Sequence, residues 1–197
     1  MTNGMSGQII VTPSAENLAA SVSAATKGKG LPPIHLWNPP FCGDLDIRIA
    51  RDGTWFYMGT PIGRPALVKL FSSILKFENN KYFLVTPVEK VGITVDDAPF
   101  VAVDFDQIDD NLHFTTQVGD QMIAGPEHPI RVERCAQTGE PSPYVLVRSN
   151  LEALIDRKSF YRLVDIGVHE IWEKSSWFGL RSQSTFFPII PSADLEL

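Results

Sequence analysis

The recurrence of one order of segments constrains this chain's fold more than any other feature. Residues 47–51 read IRIAR and residues 130–134 read IRVER. Each string is followed by a turn, a second strand (WFYM; YVLV), an arginine (Arg64; Arg148), an amphipathic segment and a further strand (YFLV; YRLV). The intervals Ile47–Ile130 and Arg64–Arg148 differ by a single residue. An order repeated at near-constant spacing points to duplication. The expected architecture is α+β, a duplicated unit of antiparallel strands plus one helix. The first unit is placed at residues 31–110, the second at 111–197, and an N-terminal arm at 1–30.

Local chemistry supplies the elements. Apolar alternation on both sides of Asp52-Gly53 in DIRIARDGTWFYM is a hairpin signal, since Gly takes the positive φ that a tight turn needs. In RPALVKLFSSILK, Pro65 suits a first helical turn, and Leu67, Leu70, Phe71, Ile74 and Leu75 share one helical face. YFLV, VGITV, PFVAVDF, LHFTTQV, YVLV, YRLVDIGV, WFGL and STFFPII read as strands, with Pro87 at an edge or bulge. Ser149 and Glu152 form a capping box over a second helix, SNLEALIDRK. Ser14 caps a short helix ended by KGKG, and its thin apolar face (Leu18, Val22) predicts a loosely held arm.

Composition narrows the function classes. A net charge of −6 argues against a nucleic-acid partner, which needs a basic field, and against docking on anionic membranes. No apolar run spans a bilayer, and Ile9–Val11 is too short for a signal peptide, so the cytoplasm is the expected location. Cys42 and Cys135 read as two reduced thiols. The four histidines show no metal-ligand spacing, and no cofactor motif is present.

Candidate site residues follow from charge and aromatic content. Arg48 alternates with Ile47 and Ile49 and so points away from the core. Arg64 and Arg148 precede the two expected helices, where free backbone N–H groups and a guanidinium make an anion cradle. The same arginines can equally pair with Asp44, Asp46 or Glu89 across a seam between the units. His35, Trp37 and Trp55 lie in a proline-rich entry and the first hairpin, where aromatics either stack on a planar ligand or fill core under a loop. Glu89 stands at a strand break. Together they give a ligand-binding set of His35, Trp37, Arg48, Arg64, Glu89 and Arg148, a small anionic ligand, and no catalytic residue.

LPPIHLWNPPFCGDLDIRIARDGTWFYMGTPIGR, LVKLFSSIL and YFLVTPVEKVGITVDDAPFVAV resemble the bacterial family known as domain of unknown function 1285. The similarity runs through about residues 31–190, including TTQVGD, GPEHP, YVLVR and LEALIDRKSFYRLV. Gln117 and Ser184 stand where the resemblance leads one to expect Asn and Gly. The resemblance implies a duplicated core, a second domain superficially like pleckstrin-homology folds, and a nucleotide-like ligand between the domains in signal transduction. Two alternatives stay open. One is a hydrolase with Asp46 and Glu89 facing a cleft at about 5–10 Å. The other is a module that binds a protein partner through an exposed apolar patch.

Overall fold

The computed structural model describes residues 14–25 and 30–195. The segments read at residues 9–11 and 27–29 lie outside them.

The first unit opens with a three-stranded meander: β1 (Phe41–Ile49), β2 (Trp55–Tyr57) and β3 (Thr60–Pro61). Asp52 Oδ1 accepts from Thr54 N at 2.9 Å and Gly53 has a φ of 85°, so the turn read from Asp-Gly forms as expected. Helix α2 (Pro65–Ser72) comes next, then a second meander of β4 (Leu75–Glu78), β5 (Lys81–Val85) and β6 (Lys90–Val95). The sheet order is β3-β2-β1-β6-β5-β4, and β1 lies parallel to β6 with Arg48 opposite Thr94.

The second unit repeats this plan. β7 (Phe100–Ile108), β8 (Asn111–Thr116) and β9 (Gln121–Ile123) form one meander; β10 (Ile130–Arg134), β11 (Pro141–Arg148) and β12 (Leu151–Ile155) form the other. The order is β10-β11-β12-β7-β8-β9, again with first strand parallel to last, Leu154 opposite Val101. Helix α3 (Arg157–Asp165) and a small sheet of β13 (Val168–Trp172), β14 (Ser175–Ser182) and β15 (Thr185–Pro191) complete the chain. Duplication therefore holds, but its register differs from the one read in sequence. IRIAR begins on β1, a first strand, whereas IRVER is β10, a fourth strand whose counterpart is β4. Alternation of period two identifies a strand and says nothing about its place in a sheet.

Four local assignments change with it. Residues 149–156 form no helix: Ser149 sits at φ 51° in a hairpin turn, and Leu151, Ala153 and Ile155 alternate inward on β12. Residues 161–165, the first part of the strand read as YRLVDIGV, belong to α3 (Arg157–Asp165), where Asp156 Oδ1 accepts from Ser159 N at 2.7 Å. The strand at Phe100–Ile108 belongs to the second sheet, so the units meet between Val95 and Phe100, not at residue 110. Helix α2 also ends before Leu75, which starts β4.

Helix α1 (Ala15–Ala25) starts as read, with Asn17 N donating to Ser14 Oγ at 3.2 Å. It is not a loose arm. Leu18 and Val22 are fully buried, and the helix packs on α2. They join one core with Ile47, Trp55, Phe71, Phe100, Phe114, Leu163 and Leu180, drawn from both large sheets and the small one. Ser182 ties the small sheet in, accepting from Leu112 N at 2.9 Å and donating to Ala124 O at 2.7 Å.

Candidate functional site

Helix α2 belongs to the first unit and lies along the second. Its polar side carries Lys69, whose Nζ is 3.7 Å from where a Cβ on Gly119 would stand, over the turn between β8 and β9. Two cavities flank it. One, about 480 Å³, is lined by Gly53, Trp55, Ile62, Pro65, Val68 and Gln117. The other, about 440 Å³, is lined by Leu31, Pro32, Leu70, Ser72, Ser73 and Asp120. Ala66, Lys69 and Val118 wall both, so the pair forms one groove along the seam between the units. Both volumes lie in the range of small-molecule sites.

The seam is pinned at each end by arginine. Arg148 pairs with Asp120, donates to Ser72 O at 2.8 Å and lies 4.6 Å from the Phe100 ring centroid. It thus ties the β8–β9 turn to the C-terminal end of α2, where carbonyls and the helix dipole favour a cation. Arg51 bonds Ser142 Oγ at 3.0 Å and lies 3.3 Å from Asp97.

Of the expected ligand-binding set, Arg148 is the one at this seam, placed there by a hairpin and not by a helix start; Trp55, read from sequence as stacking or core, lines the groove. Arg64 is the N-cap of α2, where its carbonyl accepts from Leu67 N and Val68 N. It is exposed and beside a smaller cavity with Ala15, Glu16 and Tyr57. The two arginines thus mark opposite ends of one eight-residue helix, about 12 Å apart along its axis, and make no common cradle. Arg48 pairs with Asp96 at 2.7 Å and covers Phe56 at 4.8 Å, an ion pair with a partner other than those considered. His35 is exposed in a single 3-10 turn, and Trp37 is half-buried against the core. Glu89 is 9% exposed in the turn closed by Thr86, whose Oγ1 accepts from Glu89 N at 3.1 Å. Burial pushes the Glu89 carboxyl above its ordinary value. Neither Asp46 nor Glu89 lines the seam groove.

Lys69 escaped the sequence reading, and Gln117 entered it only as a departure from the family pattern. Lys69 is exposed on α2, and Gln117 directly follows β8. A third cavity, about 570 Å³, brings Cys135 near Arg51, Arg157 and Tyr161. Hydrogen bonds from Thr138 hold the exposed Cys135 thiol below its usual value, but Arg157 is committed to Glu140 at 2.9 Å and Arg51 to the seam. Among the described residues no group of His, Cys, Asp and Glu is arranged to hold a metal, and no helix is long and apolar enough to cross a membrane.

No curated protein matches the chain. A DUF1285 family protein from Shewanella baltica OS155 is 31% identical over 60% of this chain and 90% of its own, with a TM-score of 0.49. A DUF1285 family protein from Silicibacter pomeroyi DSS-3, solved by crystallography, is 60% identical, covering 91% of this chain and 98% of its own with a TM-score of 0.81. Residues 32–98 match the N-terminal domain of DUF1285, described as a domain of unknown function, and residues 99–189 match the C-terminal domain. These two matches meet where the first sheet gives way to the second, and with them the chain belongs to the DUF1285 family.

Proposed function

We propose that this protein is a sensor that binds a small anionic ligand in the groove between its two units. One observation carries the reading. The Lys69 ammonium reaches from the first unit over Gly119 of the second, and no carboxylate pairs with it among the described residues. Asp120, next to Gly119, is committed to Arg148. An ammonium held over a groove without a counter-ion favours a ligand that brings its own negative charge. The apolar walls (Ile62, Pro65, Val68, Val118) suit a ligand with a hydrophobic or planar body, as in a nucleotide. Because the walls come from both units, occupancy couples to their relative position, which is what a signalling role requires.

A thermal-shift screen against nucleotides, dinucleotides and smaller anionic metabolites tests this. A ligand at about 100 times its Kd adds roughly 2.7 kcal/mol. Lys69→Met should abolish the shift and leave the melting temperature without ligand within about 2 °C, since an exposed side chain contributes little to stability. An equal shift in that variant would remove Lys69, and with it this reading.

A second reading has its own support. Tyr161, Val164, Ile166, Val168 and Ile171 are all exposed on or beside α3 and β13, and β13 is an edge of the small sheet. Apolar exposure beside an unpaired strand edge suits a protein partner. Pull-down with the Ile171→Asp variant as control separates the two.

A further inference from the structure

Resting on the groove reading above, two more donors specify what the anion must look like. Trp55 Nε1 and Gln117 Nε2 are both closed to solvent and without a partner among the described residues. Trp55 is 2% exposed and borders the 480 Å³ cavity, its ring stacked on Phe71 at 6.4 Å and 29°. Strand pairing opposite Ile49 and a 2.8 Å bond from Ile62 N to its carbonyl fix its backbone. The indole therefore cannot swing away to find water. Gln117 borders the same cavity. Its Oε1 accepts from Val101 N at 2.7 Å, which settles the orientation of the amide, since the flipped form would set donor against donor. The free end of the side chain is thus an NH₂ group.

One donor comes from each unit, and both residues border the cavity walled by Lys69. We propose that an oxyanion with at least two acceptor oxygens, a carboxylate or a phosphate ester, bridges Trp55 Nε1–H and Gln117 Nε2–H while Lys69 supplies the counter-charge. Trp55, Gln117 and Lys69 offer donors only through these nitrogens, so an ionised group is preferred over a neutral amide, which brings a donor of its own. Access to the nitrogens requires movement. A Cβ on Gly53 would lie 3.0 Å from Gln117 Nε2, so the β1–β2 turn rests directly on the carboxamide. An oxygen reaches Gln117 by lifting that turn, and the ligand then joins the units through itself instead of through Gly53. The displaced turn is the signal.

Heteronuclear NMR of the ¹⁵N-labelled full chain tests this. The indole N–H of Trp55 is assigned by its loss in Trp55→Phe and followed during titration with acetate, inorganic phosphate and adenosine 5′-monophosphate. The expected result is movement of the Trp55 indole and Gln117 carboxamide signals, with those of Trp172 and Trp177 in the small sheet fixed. Whether acetate or the two phosphates act distinguishes the source of the oxyanion. Gln117→Glu keeps the acceptor for Val101 N and turns the free donor into an acceptor, so affinity should fall more than tenfold. An anion that raises the melting temperature, leaves the Trp55 indole signal still and binds Gln117→Glu equally well overturns the bridge and leaves the groove reading standing. Absence of any thermal shift with all three anions overturns both.

Discussion

Replacing Arg148 by Met should cost about 3 kcal/mol of stability, far more than a typical surface charge. Arg148 and Asp120 side chains are 18% and 26% exposed, which takes the pair out of the regime where solvent cancels it. The substitution keeps the aliphatic stem over Phe100 and removes three things: the ion pair, the bond to Ser72 O and the charge at the α2 C-terminus. Charge-assisted hydrogen bonds contribute about 1.5–3 kcal/mol each, and stranding a half-buried Asp120 adds to the loss. Partial exposure brings the sum down to about 3 kcal/mol. At about 2–4 °C per kcal/mol for a chain of this size, the midpoint should fall roughly 6–12 °C by far-ultraviolet circular dichroism. Asp120→Asn in the Arg148→Met background should then cost much less than alone, a coupling of about 1–3 kcal/mol. A loss of about 0.5 kcal/mol with no coupling would show that the pair behaves like an exposed one and does not pin the seam.

Two further outcomes rest on burial. Leu18→Ala should lower the free energy of unfolding by about 2–5 kcal/mol in urea, because a fully buried leucine leaves a cavity; no loss would mean α1 is undocked. Glu89→Gln should stabilise at neutral pH. The folded-state pKa of Glu89 is raised, so below its unfolded value both states are protonated and burial carries no penalty, whereas above it the folded chain must ionise a desolvated group. The stability gain of Glu89→Gln is therefore expected to be smallest below pH 4.5 and to grow with rising pH, read from paired denaturation curves; a gain that shrinks with rising pH contradicts the assignment.

Local chemistry was legible where one interaction decides the outcome. Asp52-Gly53 needs only its own turn geometry, Ser14 caps the helix that begins beside it, and Pro65 starts α2 in any context. SNLEALIDRK was not decidable in this way. Leu151, Leu154 and Ile155 fit a helix face, while Leu151, Ala153 and Ile155 fit a strand face equally well. What selected the strand was parallel pairing with Phe100–Ala102, a partner far up the chain that no local window of sequence contains. In KSFYRLVD the helix was masked by its polar surface, and Asp156 at its start was the overlooked cue. The seam groove was less legible still. Lys69 is unremarkable in its own segment, Trp55 reads there either as core or as a stacking surface, and Gln117 only as a departure from the family pattern. The three acquire a common meaning only when one sheet is laid against the other.

The first-to-last strand pairing of each sheet also dictates an order of assembly during synthesis. Strand β1 stays without its inner neighbour until β6 has been made, because Arg48 waits for Thr94, and β7 waits likewise for β12. Such non-local parallel closure is slow relative to hairpin formation, so in each unit the two meanders form before they join. Yet β6 ends at Val95 and β7 begins at Phe100, so everything the first sheet needs has emerged before any strand of the second is complete. A ribosome therefore releases two zippers in succession, and the ladder in each is closed by its last tooth.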